Sequence, residues 1–353
     1  MFSEIVPKTK SLGLCAHTQS DLNESTVIMN SSPLQDPSLI SIWRVIAVPF
    51  LAISLAGCDA PIQAKQDLPV PSVLSEQRGE GLPYELTGTS VYEIPDQKSG
   101  RNYQVFVDLP RAYHEQPSRK FPVVYVTDAD YAFPVVRSVT RRLNVNKPRV
   151  EDFILVGLSY AKGQSPVVSR RRDYTPTAAG SEDSTPDQVH GQGAAYRDYI
   201  KTQVMPFVEK RFRTSTGRNY FVGHSYGGLL GAQILFTSPG MFAGYILGSP
   251  SFWYDQRHIF QLEKAYAASH DNLSAKVYLY IGEYEAQRKG DKRYYQDFFD
   301  MVLDNQAFTQ ALGKRAYPDL NLKSDVLNDE DHLTVAPRGF TKGLLYLLPA
   351  NDR

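Results

Sequence analysis

The pentapeptide Gly223-His224-Ser225-Tyr226-Gly227 constrains this chain more than any other feature. It fits the pattern G-x-S-x-G, in which a serine occupies a strained turn from strand to helix and bulky flanking side chains would keep the two elements apart. Tyr220-Phe221-Val222 reads as the strand before it and Leu229-Leu230-Gly231-Ala232-Gln233-Ile234-Leu235 as the helix after it. A glycine-rich turn with an ordinary surface serine would not need Gly227-Gly228 at the helix start. On such a turn Ser225 gains from the amides of the helix N-terminus, which stabilise negative charge on its oxygen.

The neighbouring segments fit the α/β architecture that this turn demands. Ser90 to Ile94 and Tyr103 to Leu109 alternate polar and apolar residues around the turn Lys98-Ser99-Gly100-Arg101, as an antiparallel hairpin at a sheet edge does. Val123 to Val126, Phe153 to Leu158, Tyr220 to Gly223, Tyr245 to Leu247 and Val277 to Ile281 are more continuously apolar, as strands covered on both faces are. Between them, Ala194 to Phe212 puts Tyr196, Ile200, Val204, Phe207 and Val208 on one helical stripe. The alternation predicts a three-layer α/β sandwich, mostly parallel with an antiparallel N-terminal edge. The polar stretch Thr177 to Gly193 reads as an inserted mobile loop, and no internal repeat or second glycine-rich nucleotide loop is present.

A serine hydroxyl is a poor nucleophile at neutral pH and needs a base, normally histidine, which in this architecture follows it along the chain. Three histidines qualify. His258 and His270 fall in an amphipathic helical stretch, where a solvated role is expected. His332 lies in Asn328-Asp329-Glu330-Asp331-His332-Leu333, after the strand-like Leu322 to Leu327 and before the last helix. Loops at the C-terminal ends of strands are where α/β sheets carry functional groups, so His332 is the expected general base. His224, inside the turn itself, is expected to be structural. The orienting acid should follow Val277 to Ile281, where Gly282-Glu283-Tyr284-Glu285 offers two carboxylates. Glu285 is preferred because the loop needs a few residues to turn back, with Glu283 as the alternative. One oxyanion donor is expected at the Tyr226 amide and the other after Val123 to Val126, within Thr127-Asp128-Ala129-Asp130-Tyr131.

The first sixty residues read as an address. Val45 to Cys58 is the most hydrophobic stretch of the chain, too short to cross a bilayer of roughly 30 Å but suited to the core of a signal peptide. It ends in Leu55-Ala56-Gly57-Cys58, which looks like a bacterial lipobox, and Asp59 to Pro83 is rich in Pro, Gln and Ser like a tether. The expected organisation is therefore a signal peptide over 1–57, a lipid-bearing Cys58 opening a tether over 58–84, and one catalytic domain over 85–353. A buried N-terminal helix ending in an ordinary core cysteine is the plainer alternative. Translation starting at Met1 or at Met29 gives the same mature chain, without Cys15 and exported to an oxidising periplasm.

Charge narrows the partners. With 38 Lys+Arg against 38 Asp+Glu the chain lacks the basic excess of a nucleic-acid binder. Two cysteines build neither a disulfide framework nor a cysteine zinc site, so no metal and no cofactor are expected. Arg170-Arg171-Arg172 is one of the few local basic features, either a solvated run or an attractor of anions.

Taken in order, several segments resemble the "Putative esterase" family of α/β-hydrolases, which groups enterobactin-type siderophore esterases with esterase D-like hydrolases. They are Tyr103 to Pro110, Phe121 to Asp130, Arg172-Asp173-Tyr174-Thr175-Pro176, Gly223 to Leu229, Ser249-Pro250-Ser251-Phe252-Trp253 and Gly282 to Glu285. The resemblance covers nearly everything after about residue 88 and implies an α/β-hydrolase sandwich with serine esterase activity. It places Arg172 in the substrate region. The family usually has glycine where Ala129 stands, which leaves the second oxyanion amide to Ala129 or Asp130. Its periplasmic siderophore esterases often use a Ser-His dyad, which bears on Glu285. Trp253 and Tyr131 are candidates for the wall of an aromatic pocket, Tyr131 equally for core packing. The expected function is a membrane-anchored periplasmic serine esterase forming an acyl-enzyme, with siderophore triesters as one substrate class. Feruloyl or acetyl carbohydrate esters, acyl transfer, and a non-catalytic tethered binding protein are the alternatives.

Overall fold

The computed structural model describes residue 81 and residues 83–350, apart from 181–183, 186, 294, 296 and 297. The expected signal peptide, the lipidation site Cys58 and nearly all of the tether lie outside the described residues.

The edge hairpin forms as its alternation requires. β1 (Thr89–Pro95) and β2 (Asn102–Asp108) pair antiparallel from Thr89 opposite Asp108 to Pro95 opposite Asn102. Asp96 closes the turn, its carboxylate accepting the amides of Lys98 and Ser99 at 3.1 and 3.2 Å. The other strands are β3 (Phe121–Thr127), β4 (Ile154–Ala161), β5 (Thr214–His224), β6 (Gly244–Gly248), β7 (Ala275–Gly282) and β8 (Leu320–Leu327). Among the described residues they make one sheet in the order β1-β2-β4-β3-β5-β6-β7-β8, parallel from β4 to β8. β2 joins it antiparallel to β4.

The helices are α1 (Arg111–Glu115), α2 (Ala129–Leu143), α3 (Pro166–Asp173), α4 (Gly193–Tyr199), α5 (Met205–Arg211), α6 (Tyr226–Thr237), α7 (Tyr254–Ala267), α8 (Met301–Arg315) and α9 (Ala336–Leu347). They cover both faces because successive strand residues point to opposite sides. Val124, Val126, Val222, Ile246 and Tyr280 pack under α2 and α9 with Phe133, Val136, Phe340 and Leu344. Val123, Tyr125, Phe221, Leu247 and Leu279 meet α6, α7 and α8 through Leu230, Ile234, Ile259 and Phe308. Each large side chain so buried contributes about 1.5–3 kcal/mol relative to exposure, and this two-sided burial is why the central strands carry no polar alternation.

Two expectations are modified. The helix over Ala194 to Phe212 is α4 and α5 joined by a π-helical turn, Ile200–Val204. Pro206 cannot donate to the carbonyl four residues earlier, and the wider turn absorbs that missing bond. The stripe survives, with Tyr196, Ile200, Val204 and Val208 buried. The described part of Thr177 to Gly193 is tied down: the Tyr254 hydroxyl donates to the Thr177 carbonyl at 2.9 Å and the Gly191 amide to Thr175 Oγ1 at 2.8 Å. Its backbone polar groups find fixed partners that composition does not reveal.

Candidate active site

β5 delivers Ser225 to the turn before α6 with φ 60° and ψ −121°, a conformation costly for a residue with a side chain. A side chain at Gly223 would run into the Gly227 carbonyl, and one at Gly227 into Thr127 Oγ1, so the strand, the helix and the end of β3 meet only because both positions are bare. Ser225 Oγ faces Ser251 Oγ at 3.4 Å, its one side-chain hydrogen-bond contact among the described residues. The Ser251 amide donates to the Ser225 carbonyl at 3.2 Å, which fixes the segment after β6 against the turn.

His332 reaches the same place from the loop after β8. Asp331 shapes that loop by accepting the amides of Leu333 and Thr334 at 2.8 and 3.0 Å. His332 Nδ1 donates to Glu285 Oε2 at 2.6 Å, so Nε2 is left with its lone pair as a base. His332 and Ser225 line one cavity.

Glu285 and Glu283 stand at the two ends of the single turn Glu283–Glu285 after β7 and point apart. Glu285 is buried, and its Oε1 accepts the Gly282 amide at 2.8 Å and the Ser249 hydroxyl at 2.6 Å. Both of its oxygens thus have donor partners, His332 on one and Gly282 and Ser249 on the other. Glu283 turns outward, where Oε2 accepts the Asp329 amide at 3.1 Å and braces the histidine loop. The structure therefore pairs Glu285, and not Glu283, with His332.

His224 supports this arrangement from below. Its Nε2 lies 2.9 Å from the His332 carbonyl, which can only accept, so Nε2 carries the proton and Nδ1 accepts from the Tyr280 hydroxyl at 3.3 Å. Burial, with the nearby His332 and Arg170, holds its pKa well below the usual histidine range and the ring neutral.

The N-termini of α2 and α6 converge beside Ser225. First-turn amides have no acceptor within their own helix, which leaves those of Tyr226 on α6 and of Ala129 and Asp130 on α2 as the candidates for an anionic oxygen. Ala129 is fully buried, whereas the Asp130 side chain is exposed and accepts the Ser159 hydroxyl at 2.9 Å.

Two cavities open on Ser225 and His332. The larger, about 700 Å³, is walled by Tyr226, Trp253, Tyr295, Phe298, Phe299 and Met301. Trp253 stacks on Phe299 with ring centroids 4.6 Å apart and planes 5° from parallel, and Tyr295 stacks on His332 at 4.5 Å. Trp253 is backed by a left-handed turn, Asp255 to Arg257, with φ of 45°, 51° and 63°. That turn is held by Thr177 Oγ1 donating to Asp255 at 2.6 Å and by Arg257 on Asp304 at 2.6 Å. The smaller cavity, about 420 Å³, is lined by Tyr131, Tyr160, Pro166, Val167 and Leu333. Tyr131 is 43% exposed there, a wall residue and not a core one.

Arg172 does not reach either cavity. It is 3% exposed and is held by Asp173 at 2.7 Å and Gln164 at 2.5 Å. Arg170 lines both cavities instead. Three successive arginines on a helix point 100° apart, so a run of charge does not say which member faces the site. Sequence reasoning also missed Ser249 and Ser251, and the aromatic wall of Tyr295, Phe298 and Phe299, for which the aromatic residues of an otherwise polar segment were the available signal.

A hydroxyl on such a turn, beside a histidine whose second nitrogen is committed to a buried carboxylate, suits attack on an ester carbonyl. The molecule is a serine ester hydrolase of α/β-hydrolase fold. The chain belongs to the "Putative esterase" family, whose model matches residues 97–319. It is 27% identical over 220 residues to ferri-bacillibactin esterase BesA of Bacillus subtilis, covering 60% of this chain and 75% of that one. It is 31% identical over 183 residues to a siderophore enterobactin esterase of Emericella nidulans, covering 48% of this chain and 60% of that one, less than two thirds of that relative's length. Among solved structures, the BES protein of Bacillus cereus superposes with a TM-score of 0.64 at 24% identity over 76% of this chain and 99% of that one, a likeness of fold.

Proposed function

We propose that this chain hydrolyses aromatic siderophore esters by a Ser225–His332–Glu285 triad. One observation carries the reading: a carboxylate-paired histidine and the turn serine share an aromatic-walled cavity of about 700 Å³. Ser225 Oγ attacks the ester carbonyl as its proton passes to His332 Nε2. The amides of Tyr226 and Ala129 receive the oxyanion, and the protonated His332 returns the proton to the departing alkoxide. Water, deprotonated by His332, then releases the acid from Ser225. General base catalysis of this kind contributes about 10²–10⁴-fold, and one oxyanion donor about 10²–10³-fold. Productive attack requires Ser225 Oγ to turn from Ser251 to His332.

The two named relatives act on siderophore esters, and two features favour that class here. Trp253, Phe299 and Tyr226 offer faces to aromatic acyl groups. The segment that supplies the aromatic wall also carries Arg288, Lys289, Lys292 and Arg293 against Asp291, Asp297 and Asp300, with the basic residues gathered at its start as a weak local positive field for an anionic iron–catecholate complex. We further infer that the protein is exported and anchored by a lipid on Cys58, supported by Val45 to Cys58 and the polar stretch after it.

The test is turnover, followed by mass, on ferric and iron-free catecholate triesters, feruloyl sugars and short acyl esters, with Ser225→Ala as control. Preference for the triesters together with an inactive Ser225→Ala variant supports the reading, and a preference for feruloyl sugars replaces the substrate class. For the anchor, Cys58→Ser should abolish incorporation of labelled palmitate. Unchanged incorporation removes the anchor proposal.

A further inference from the structure

Asp128 has no part in the steps above, yet it stands at the bend that joins β3 to α2. It is fully buried, in the left-handed region at φ 55° and ψ 46°. Its side chain does not cap α2. Oδ1 accepts the Tyr160 hydroxyl at 2.8 Å and lies 2.7 Å from Arg170 Nε, while Oδ2 is buried without a hydrogen-bond partner. A β-carbon on Gly227, in the first turn of α6, would stand 3.3 Å from Oδ2. The carboxylate is thus wedged between the first turns of α2 and α6, the two helix ends whose amides are assigned above to the oxyanion.

This location has a consequence for catalysis. The positive ends of two helices favour any anion placed between them. Burial raises the pKa of this carboxyl and the adjacent Arg170 opposes that rise; the carboxylate that Arg170 keeps there satisfies in the resting state the field that should act on charge developing in the transition state. It also repels that charge. Arg170 is the counterweight: its guanidinium carbon lies 5.6 Å from the centroid of the Tyr226 ring, and its side chain borders both cavities. The other charged or titratable groups around Asp128 are Asp130, Tyr131, Tyr160 and Tyr174, none of them a cation.

We propose that Arg170 is a positioning residue for ester hydrolysis: it compensates the buried Asp128 carboxylate between the N-termini of α2 and α6, so that their amides act on the developing oxyanion. Substrate charge is not what Arg170 reads, because its own charge is already engaged. The inference rests on the serine esterase reading of the same site.

The experiment is a double-mutant cycle on a neutral ester, p-nitrophenyl acetate. Arg170→Ala is expected to lower kcat at least tenfold with KM changed less than threefold, and Arg170→Lys to stay within fivefold of wild type. Asp128→Asn combined with Arg170→Ala is expected to recover to within threefold of Asp128→Asn alone, because the charge needing compensation is gone. A double variant as slow as Arg170→Ala overturns the proposal. So does an Arg170→Ala variant with normal kcat on the neutral ester and a raised KM confined to anionic esters. Circular dichroism checks folding, and if Arg170→Ala does not fold, the decision falls on the double variant against Asp128→Asn: a tenfold deficit overturns the proposal. Turnover that survives Ser225→Ala in this assay would instead remove the esterase reading beneath it.

Discussion

His224 and His332 sit one behind the other, their ring centroids 4.7 Å apart, and His224 Nε2 donates to the main-chain carbonyl of His332 at 2.9 Å. The residue before the serine therefore holds the loop that carries the histidine. Removing the donor leaves that carbonyl buried without a partner, a cost of about 1–3 kcal/mol. His224→Ala is expected to lower the melting temperature and to reduce kcat by about 10- to 100-fold, the penalty of a displaced catalytic group. KM should change little. A variant with reduced stability and wild-type kcat would show that the contact does not position His332.

His224 also predicts how stability depends on pH. Burial depresses its folded-state pKa well below 6.5, so below that pH the unfolded chain binds a proton that the folded one refuses. The stabilisation from this group is complete above about 6.5, the unfolded value, and is lost as pH falls toward the depressed folded value. Thermal melts of the wild type between pH 7.5 and 5 should show a falling melting temperature, with a shallower fall in His224→Asn. Parallel curves would assign the acid sensitivity to other groups.

The carboxylate that pairs with His332 is the second test of the catalytic set. Glu285→Ala should lower kcat by about 10²- to 10⁴-fold, since the acid fixes the histidine tautomer and stabilises its protonated form. Glu283→Ala removes one brace, the bond to the Asp329 amide, and should cost stability of about 1 kcal/mol with kcat within about threefold of wild type. Near-normal kcat in Glu285→Ala would make the site a Ser225–His332 dyad.

What the sequence made legible follows from which interactions are local. The central strands were readable because burial on both faces leaves Val123 to Val126 or Val277 to Ile281 no polar position. The serine turn was readable because a close approach of strand and helix allows few residue types at Gly223 and Gly227. The choice between Glu285 and Glu283 was harder, since the two lie at the ends of one short turn and only its geometry sends one inward. The same holds for Arg170 and Arg172, two positions and about 200° apart on α3. Ser249, Ser251 and the wall of Tyr295, Phe298 and Phe299 depend on contacts between distant segments, which no periodicity encodes. The left-handed turn at Asp255 to Arg257 has no glycine to announce it, being held by Thr177 and Asp304 from elsewhere in the chain.

The aromatic wall yields the last prediction, which separates substrate recognition from chemistry. Trp253 lies against Phe299 with planes 5° from parallel, and both line the cavity that contains Ser225. A substrate with an aromatic acyl group would bury one face on this pair, whereas an acetyl group is too small to cover it. Stacking contributes about 0.5–1.5 kcal/mol beyond the area buried, so the full loss on truncation should be about 1–3 kcal/mol. Trp253→Ala is expected to raise KM for an aromatic acyl ester by about 5- to 150-fold, with kcat changed only a few-fold, because every 1.4 kcal/mol is tenfold in binding. For p-nitrophenyl acetate the same variant should stay within about threefold in kcat/KM. Phe299→Ala should show a smaller effect of the same pattern, since it removes the support of the indole and leaves Trp253 itself in place. Equal losses on aromatic and acetyl esters would mean that Trp253 maintains the site generally and does not select the acyl group.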